Sequence, residues 1–190
     1  MKVRERMRII SGTFRGRKLR TPLGDGIRPT GDKVKESIFN ILQFDIEGRR
    51  VLDLFAGTGQ LGIEALSRGA ASVTFVDSSQ DAVNLVRENV GLLRLPDESV
   101  KKIFAGDAIS YLQKDEKFDI ILLDPPFASD LVFKAVDIVV KKEKLEIGGV
   151  MVCETDSARL KELQENAYPG YTEKRYKYGK TSLLVYSREE

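Results

Sequence analysis

Asp53-Leu54-Phe55-Ala56-Gly57-Thr58-Gly59-Gln60-Leu61-Gly62 (DLFAGTGQLG) closes a short apolar run, Arg50–Phe55, and opens a stretch with helical spacing that reaches Arg68. Gly57 to Gly62 spells G-x-G-x-x-G, a turn that carries the chain from a strand into a helix and lets a ligand approach the backbone. Several nucleotide-like ligands use such a turn, so the glycines alone leave a dinucleotide and an adenosyl cofactor both open.

Outward from this turn the chain alternates strand and helix. Strands are expected at Arg50–Phe55, Ser72–Asp77, Val100–Ala105, Phe118–Asp124 and Gly149–Glu154. Helices are expected at Gly59–Arg68, Gln80–Leu93, Ala108–Leu112, Ser129–Lys141 and Ser157–Asn166. Alternation of this kind predicts an α/β fold, a doubly wound parallel sheet with helices on both faces. The runs VLDLF and IILL agree, because parallel strands are buried on both sides. Two strands with no helix between them, Tyr171–Lys177 and Ser182–Ser187, predict a terminal antiparallel hairpin. At the other end, Met7 to Leu19 reads as a β-hairpin of two short strands around Ser11–Gly16. A loop follows from Leu23 to Gly31, then a helix from about Lys33 to Phe44 with Asp32 as its N-cap. A break in composition near residue 45 divides a basic hairpin and helix (1–45) from the α/β body (46–190).

The totals exclude several classes. A chain of 190 residues suggests one domain. Its single cysteine, Cys153, reads as core and permits no intrachain disulfide, and the absence of histidine removes histidine bases and ligands. No metal site is expected. No signal peptide and no apolar run of membrane-spanning length is present, which points to a soluble cytoplasmic protein. Residues 1–35 carry eleven Lys and Arg against three Asp and Glu, a net of +8, while the remainder carries 20 against 26, a net of −6. Because apolar residues and glycines interrupt this basic segment, it reads as a folded arm for a polyanion such as nucleic acid; a merely solvated surface is the alternative.

The acids narrow the ligand. Asp53 interrupts a buried apolar strand four residues before Gly57. A carboxylate there would repel a pyrophosphate but welcome a cationic amino-acid end, as S-adenosylmethionine has; a structural acid bonded to backbone amides is the other reading. Asp77 ends the next strand 20 residues past Gly57, where it would accept from ribose hydroxyls or simply cap the strand end. Gly106-Asp107-Ala108 would meet adenine or form an ordinary turn. The deciding segment is Asp124-Pro125-Pro126-Phe127 at a strand's carboxyl end, where ligands of open α/β sheets bind. Two prolines remove two N–H donors and leave acceptors beside an aromatic ring. That suits a planar group bearing an NH2.

DLFAGTG, Asp77, Gly106-Asp107 and DPPF together resemble the class I S-adenosylmethionine-dependent methyltransferases that act on exocyclic amines. MRIISGTFRGRKL and RPTGDKVKESIFNIL, joined to VLDLFAGTGQLGIEALSRGA, closely resemble the bacterial 16S rRNA guanine-N2 methyltransferases, and Tyr178-Gly179-Lys180-Thr181 also fits. The resemblance implies a Rossmann-like, seven-stranded, mostly parallel sheet with a reversed final strand. It also implies a substrate guanine in 16S rRNA within an assembled or partly assembled small subunit. A monomer is expected. On this reading Asp53, Gly57 and Gly59 hold the methionine end of S-adenosyl-L-methionine, and Phe55, Thr58, Ser78 and Ala108 also line the cofactor site. Asp77 takes the ribose, and Asp107 lies near the adenine. Asp124, Pro125, Pro126 and Phe127 hold a flipped guanine, whose N2 takes the methyl group by direct in-line transfer without metal. Arg8, Arg15, Arg17, Lys18, Arg20, Arg28 and Lys180 would meet RNA phosphates. Rival readings are a DNA adenine-N6 or protein glutamine-N5 methyltransferase, and a non-catalytic RNA-binding assembly factor.

Overall fold

A computed structural model describes residues 7–21, 31–96, 98–126, 129–161 and 168–189. After an N-terminal hairpin come α1 (Asp32–Ile41), β1 (Arg50–Leu54), α2 (Gln60–Ser67), β2 (Ser72–Asp77) and α3 (Gln80–Gly91). Then follow β3 (Val100–Ala105), α4 (Ala108–Tyr111), β4 (Phe118–Leu123), α5 (Leu131–Lys141) and β5 (Leu145–Asp156). A 3-10 turn at Arg159–Lys161, β6 (Tyr171–Tyr178) and β7 (Thr181–Arg188) complete the order. Among the described residues no helix is long and apolar enough to cross a membrane.

The strands form one seven-stranded sheet in the order β3-β2-β1-β4-β5-β7-β6. Strands β1 to β5 pair in parallel, while β7 runs antiparallel between β5 and β6. The expected doubly wound Rossmann-like sheet with a terminal hairpin is therefore present. The sheet grows outward in both directions from β1 and β4, and such a reversal opens a crevice at the strands' carboxyl ends.

Alternate side chains point to opposite faces, and both faces are covered. Val51, Phe75, Leu122 and Val152 lie in one core with α1, α2 and α3; Leu52, Val76, Leu123 and Cys153 lie in the other with α4 and α5. Met7, Ile9 and Leu19 of the hairpin join the first core. They cover the outer side of α2, all eight residues of which are buried.

The N-terminal hairpin departs from expectation. In place of two strands there is a single bridge, Arg8 to Lys18. The Ile10 and Ser11 N–H groups, which could have extended a ladder, instead donate to the Glu64 carboxylate of α2 at 2.8 and 2.9 Å. Thr13 N–H donates to Ser67 O at 2.7 Å, and Phe14 N–H to Ser67 Oγ at 3.0 Å. Gly12, at φ +81°, passes so close that a Cβ there would lie 1.7 Å from Ser67 O.

Other boundaries also move. Asp32 does not cap α1: Gly31 is the N-cap, and the Asp32 carboxylate lies 3.5 Å from Arg8. The Gly31 carbonyl already receives the Val34 and Lys35 amides, so the helix starts one residue early. It ends at Ile41 instead of Phe44, which is 90% exposed. In place of the helix expected over Ser157–Asn166 there is the 3-10 turn, with residues 162–167 outside the described residues. Strand β5 starts four residues before the expected Gly149, beyond a register shift against β4.

Candidate active site

Strand β1 carries Asp53 between Leu52 and Leu54, paired in register with Phe75 on one side and Leu122 on the other. Its carboxylate is 1% exposed and accepts the Gly62 amide of α2's first turn at 2.8 Å. Asp53 thus closes the helix start from the neighbouring strand, where the N-cap Gly59 has no side chain to do so. Burial is the main cause that pushes the Asp53 pKa up to about 8; the nearby Asp124 and Asp77 charges add to it, and the Gly62 amide opposes them.

Between strand and helix the backbone turns left-handed three times, at Phe55 (φ 67°), Gly57 (φ 53°) and Gly59 (φ 76°). Glycine adopts this freely; phenylalanine does so only at a cost, and strain of that kind is found where a ligand-binding turn is held by its surroundings. Thr58, 3% exposed, donates its hydroxyl to Met7 Sδ at 3.3 Å, away from the turn's open side.

Asp77 ends β2 and accepts from Gly57 N–H through Oδ2 and from Ser79 N–H through Oδ1, both at 2.8 Å. It ties the glycine turn to the start of α3 and retains acceptor capacity, since each carboxylate oxygen can take two bonds. Ser78 beside it is exposed. Asp107 caps α4 through Ser110 N–H at 2.7 Å, and its bonds to Ser110 hold its carboxyl below the usual range. Ala108 is buried behind it. Asp124 follows β4 directly, half-buried, with Pro125 buried and Pro126 exposed. Its amide faces Leu54 O of β1 at 3.5 Å. The Pro126 carbonyl accepts from the Ser129 amide at 3.1 Å and from its hydroxyl at 2.7 Å. Phe127 lies outside the described residues.

The carboxyl edge therefore gathers Asp53, the glycine turn, Asp77, Asp107 and Asp124. Lys180 reaches the same edge from the β6–β7 turn, where its carbonyl accepts Ser157 N–H at 2.8 Å. The cations of the arm are not equivalent. Arg8 faces Asp32, Arg20 pairs with Glu88 at 2.7 Å, and Arg17 donates to Leu92 O at 2.9 Å while lying over the Phe14 ring. Arg15 and Lys18 are exposed and, among the described residues, make no such pair; Arg28 lies outside the described residues.

Sequence reasoning missed four polar residues that build this region: Lys35, Glu64, Asn89 and Arg159. Two were visible as anomalies. Lys35 occupies the apolar stripe of α1 with Ile38 and Phe39, and Asn89 that of α3 with Ala82, Val83 and Val86. Arg159 clasps the turn after the prolines, donating to Ser129 O at 2.6 Å and Asp130 Oδ1 at 2.9 Å.

A sheet wound outward from β1 and β4, with β7 reversed, is the architecture of the class I S-adenosylmethionine-dependent methyltransferases. The chain belongs to the family described as Conserved hypothetical protein 95, whose model matches residues 7–187. YlbH of Bacillus subtilis, provisionally named an rRNA methyltransferase, is 38% identical over 186 residues, 96% of this chain and 99% of its own. Ribosomal RNA small subunit methyltransferase D of Haemophilus influenzae is 38% identical over 152 residues, 79% of each chain. Among solved structures, Escherichia coli yhhF, provisionally named a methyltransferase, matches with a TM-score of 0.83 at 27% identity, over 97% of this chain and 98% of that one.

The raised Asp53 pKa has a sign that can be tested. Between its ordinary value of 3.8 and about 8, the folded protein keeps a proton that the unfolded chain releases. Stability from this group is therefore greatest at low pH and falls by about 1.4 kcal/mol per pH unit across that window. Asp53→Asn retains an acceptor for Gly62 and does not titrate. Thermal unfolding at a series of pH values should show the variant gaining on wild type as pH rises towards 8. A gap independent of pH would contradict the assignment.

Proposed function

We propose that this protein methylates the exocyclic N2 of a guanine in 16S rRNA of the small ribosomal subunit, in the cytoplasm and as a monomer. The observation that carries the reading is the placement of Asp124-Pro125-Pro126 directly after β4, the strand paired with the one that carries Asp53, across the point where the sheet reverses. The names of the relatives above support the substrate. S-adenosylmethionine supplies an electrophilic methyl group that a neutral amine takes by direct in-line displacement, with no covalent enzyme intermediate.

The chain's own residues hold and orient. Asp53 faces the cationic end of the cofactor, with Phe55, Gly57, Thr58 and Gly59 shaping the backbone around it; Thr58 serves through its main chain, since its hydroxyl is turned to Met7. Asp77 and Ser78 take the ribose, and Asp107 and Ala108 the adenine. Asp124 and the Pro125 carbonyl accept the two N–H bonds of the guanine amine, which fixes it and leaves its lone pair localised on nitrogen. Phe127 stacks on the base. The proton lost after transfer goes to Asp124 or to water. Residues 1–45 work as the RNA arm and 46–190 as the methyltransferase domain.

The test is to incubate the protein with methyl-labelled S-adenosylmethionine and unmethylated small subunits, naked 16S rRNA or duplex DNA, and to identify the labelled nucleoside. N2-methylguanosine from the RNA is expected. N6-methyladenine from DNA would overturn the substrate, and no label in any sample would overturn the reaction.

Within the arm, Arg15 and Lys18 should count most. Binding to RNA weakens with salt, and each phosphate contact removed lowers the slope of log affinity against log salt by about 1. Arg15→Ala and Lys18→Ala should each show that loss. Arg20→Ala should show less, because Arg20 is already paired with Glu88. Filter binding over a salt series measures all three, and a larger loss for Arg20→Ala would contradict the ranking.

A further inference from the structure

We propose that Asn89 is a positioning residue that couples the basic arm to the glycine turn, so that RNA bound by the arm raises affinity for the adenosyl cofactor and the cofactor raises affinity for RNA. The inference rests on the functional reading above.

Asn89 is 0% exposed and sits where the α3 stripe otherwise holds Ala82, Val83 and Val86. An amide in such a place is costly unless its polar atoms are bonded. Here they are. Nδ2 donates to Thr58 O at 3.0 Å and to Arg20 O at 3.2 Å, and Oδ1 accepts Arg20 N–H at 2.7 Å. Only this orientation of the amide makes all three bonds, since a carbonyl can only accept. Asn89 therefore holds both main-chain groups of Arg20, as a β-strand partner would, and spends its remaining donor on the glycine turn.

Both elements it joins are soft alone. The turn places Thr58 between two left-handed glycines, Gly57 and Gly59. The hairpin has one bridge of its own and takes the partners of its other amides from side chains of α2 and α3, without which a two-stranded unit is at best marginally stable. A second link runs parallel to the first: the Thr58 hydroxyl donates to Met7 Sδ at 3.3 Å, and Met7 O accepts Leu19 N–H at 2.9 Å across the hairpin's open end. Thr58 is thus held by both arms of the hairpin, directly through Met7 and through Asn89 from Arg20. Phosphates that order the arm order the turn, and a cofactor that orders the turn orders the arm. A second ligand then meets an element whose ordering is already complete, which is positive coupling without a change of fold. Linkage requires the two effects to be equal.

The test titrates the full-length protein with S-adenosylhomocysteine, with and without saturating 16S rRNA, and titrates 16S rRNA with and without S-adenosylhomocysteine. In wild type both affinities should improve by the same factor, about 5-fold or more. Asn89→Asp keeps the acceptor for Arg20 N–H but turns an oxygen towards the two carbonyls. Its factor should fall towards one, whatever happens to its melting temperature. If that variant does not fold, Met7→Leu, a swap of similar volume, removes the second link and should lower the factor. A wild-type factor of one, with both ligands bound, overturns the coupling and leaves the methyltransferase reading intact. A lower melting temperature with an unchanged factor in the folded variant shows that Asn89 is structural only, and also overturns it. Failure of wild type to bind S-adenosylhomocysteine or RNA overturns the reading on which the coupling rests.

Discussion

Asp124→Ala should lower the single-turnover rate of the proposed guanine methylation on the order of 10²- to 10³-fold, the size of effect seen when one preorganised hydrogen-bonding group is removed from a reacting centre. The expectation follows from where the side chain is held. Leu123 pairs with Leu54, so Asp124 emerges beside the end of β1, next to the strand that carries Asp53. Pro125 and Pro126 contribute no N–H groups, and the turn is closed behind them by Ser129 and clasped by Arg159. An alanine leaves this rigid acceptor turn without its carboxylate, and the amine is no longer aligned. Asp124→Asn keeps one acceptor oxygen and should lose less. Cofactor affinity should change far less than rate in either variant, but its pH dependence should move. The Asp124 charge helps to hold the Asp53 pKa up, so removing it lets Asp53 ionise at lower pH. Single-turnover kinetics with saturating cofactor measure the first effect and titrations over pH the second. A fall in rate of less than tenfold would remove Asp124 from the mechanism.

Glu64→Ala should cost about 3–5 kcal/mol of stability, the range for removing one partner of a buried ion pair. Glu64 and Lys35 are both 0% exposed, with Lys35 Nζ 3.6 Å from Glu64 Oε2. Glu64 also accepts from Ile10, Ser11 and the Arg68 guanidinium, the last at 3.0 Å. Alanine leaves a buried ammonium without its counter-charge, held by the Arg8 carbonyl at 2.6 Å, and takes the acceptor from two amides of the hairpin. Burial already pushes the Lys35 pKa down, so loss of its proton should relieve part of the cost, more so as pH rises. Lys35→Met is the informative contrast. It leaves Glu64 bonded to the hairpin amides and to Arg68, and its cost should be smaller. For a chain of this length each kcal/mol moves the melting temperature by roughly 2–4 °C, so Glu64→Ala should melt ~10 °C lower. RNA affinity should fall with it, because the basic arm is seated on this carboxylate. A loss of under about 1 kcal/mol would show that the pair is not what fixes the arm.

The sequence by itself determined the alternation of strands and helices, the glycine turn and the acids at strand ends. Each of these is written in local periodicity or in one residue type out of place. Asp53 inside VLDLF is visible because a charge in a buried strand must have a reason, and Asp124-Pro125-Pro126 because prolines remove donors wherever they stand. The order of strands around β1 and β4 and the seating of the hairpin were decided by tertiary structure. Met7 to Leu19 has the pattern of two paired strands, yet its amides at Ile10 and Ser11 found a carboxylate more than fifty positions away. Arg20 found Asn89 at a separation of 69. Glu64 and Ser67 look like an outer polar face of α2 until the hairpin covers them. A hydrogen bond to a side chain brought near by packing leaves no periodic trace. The physical reason is that buried N–H groups must be satisfied, and any acceptor the fold delivers will serve.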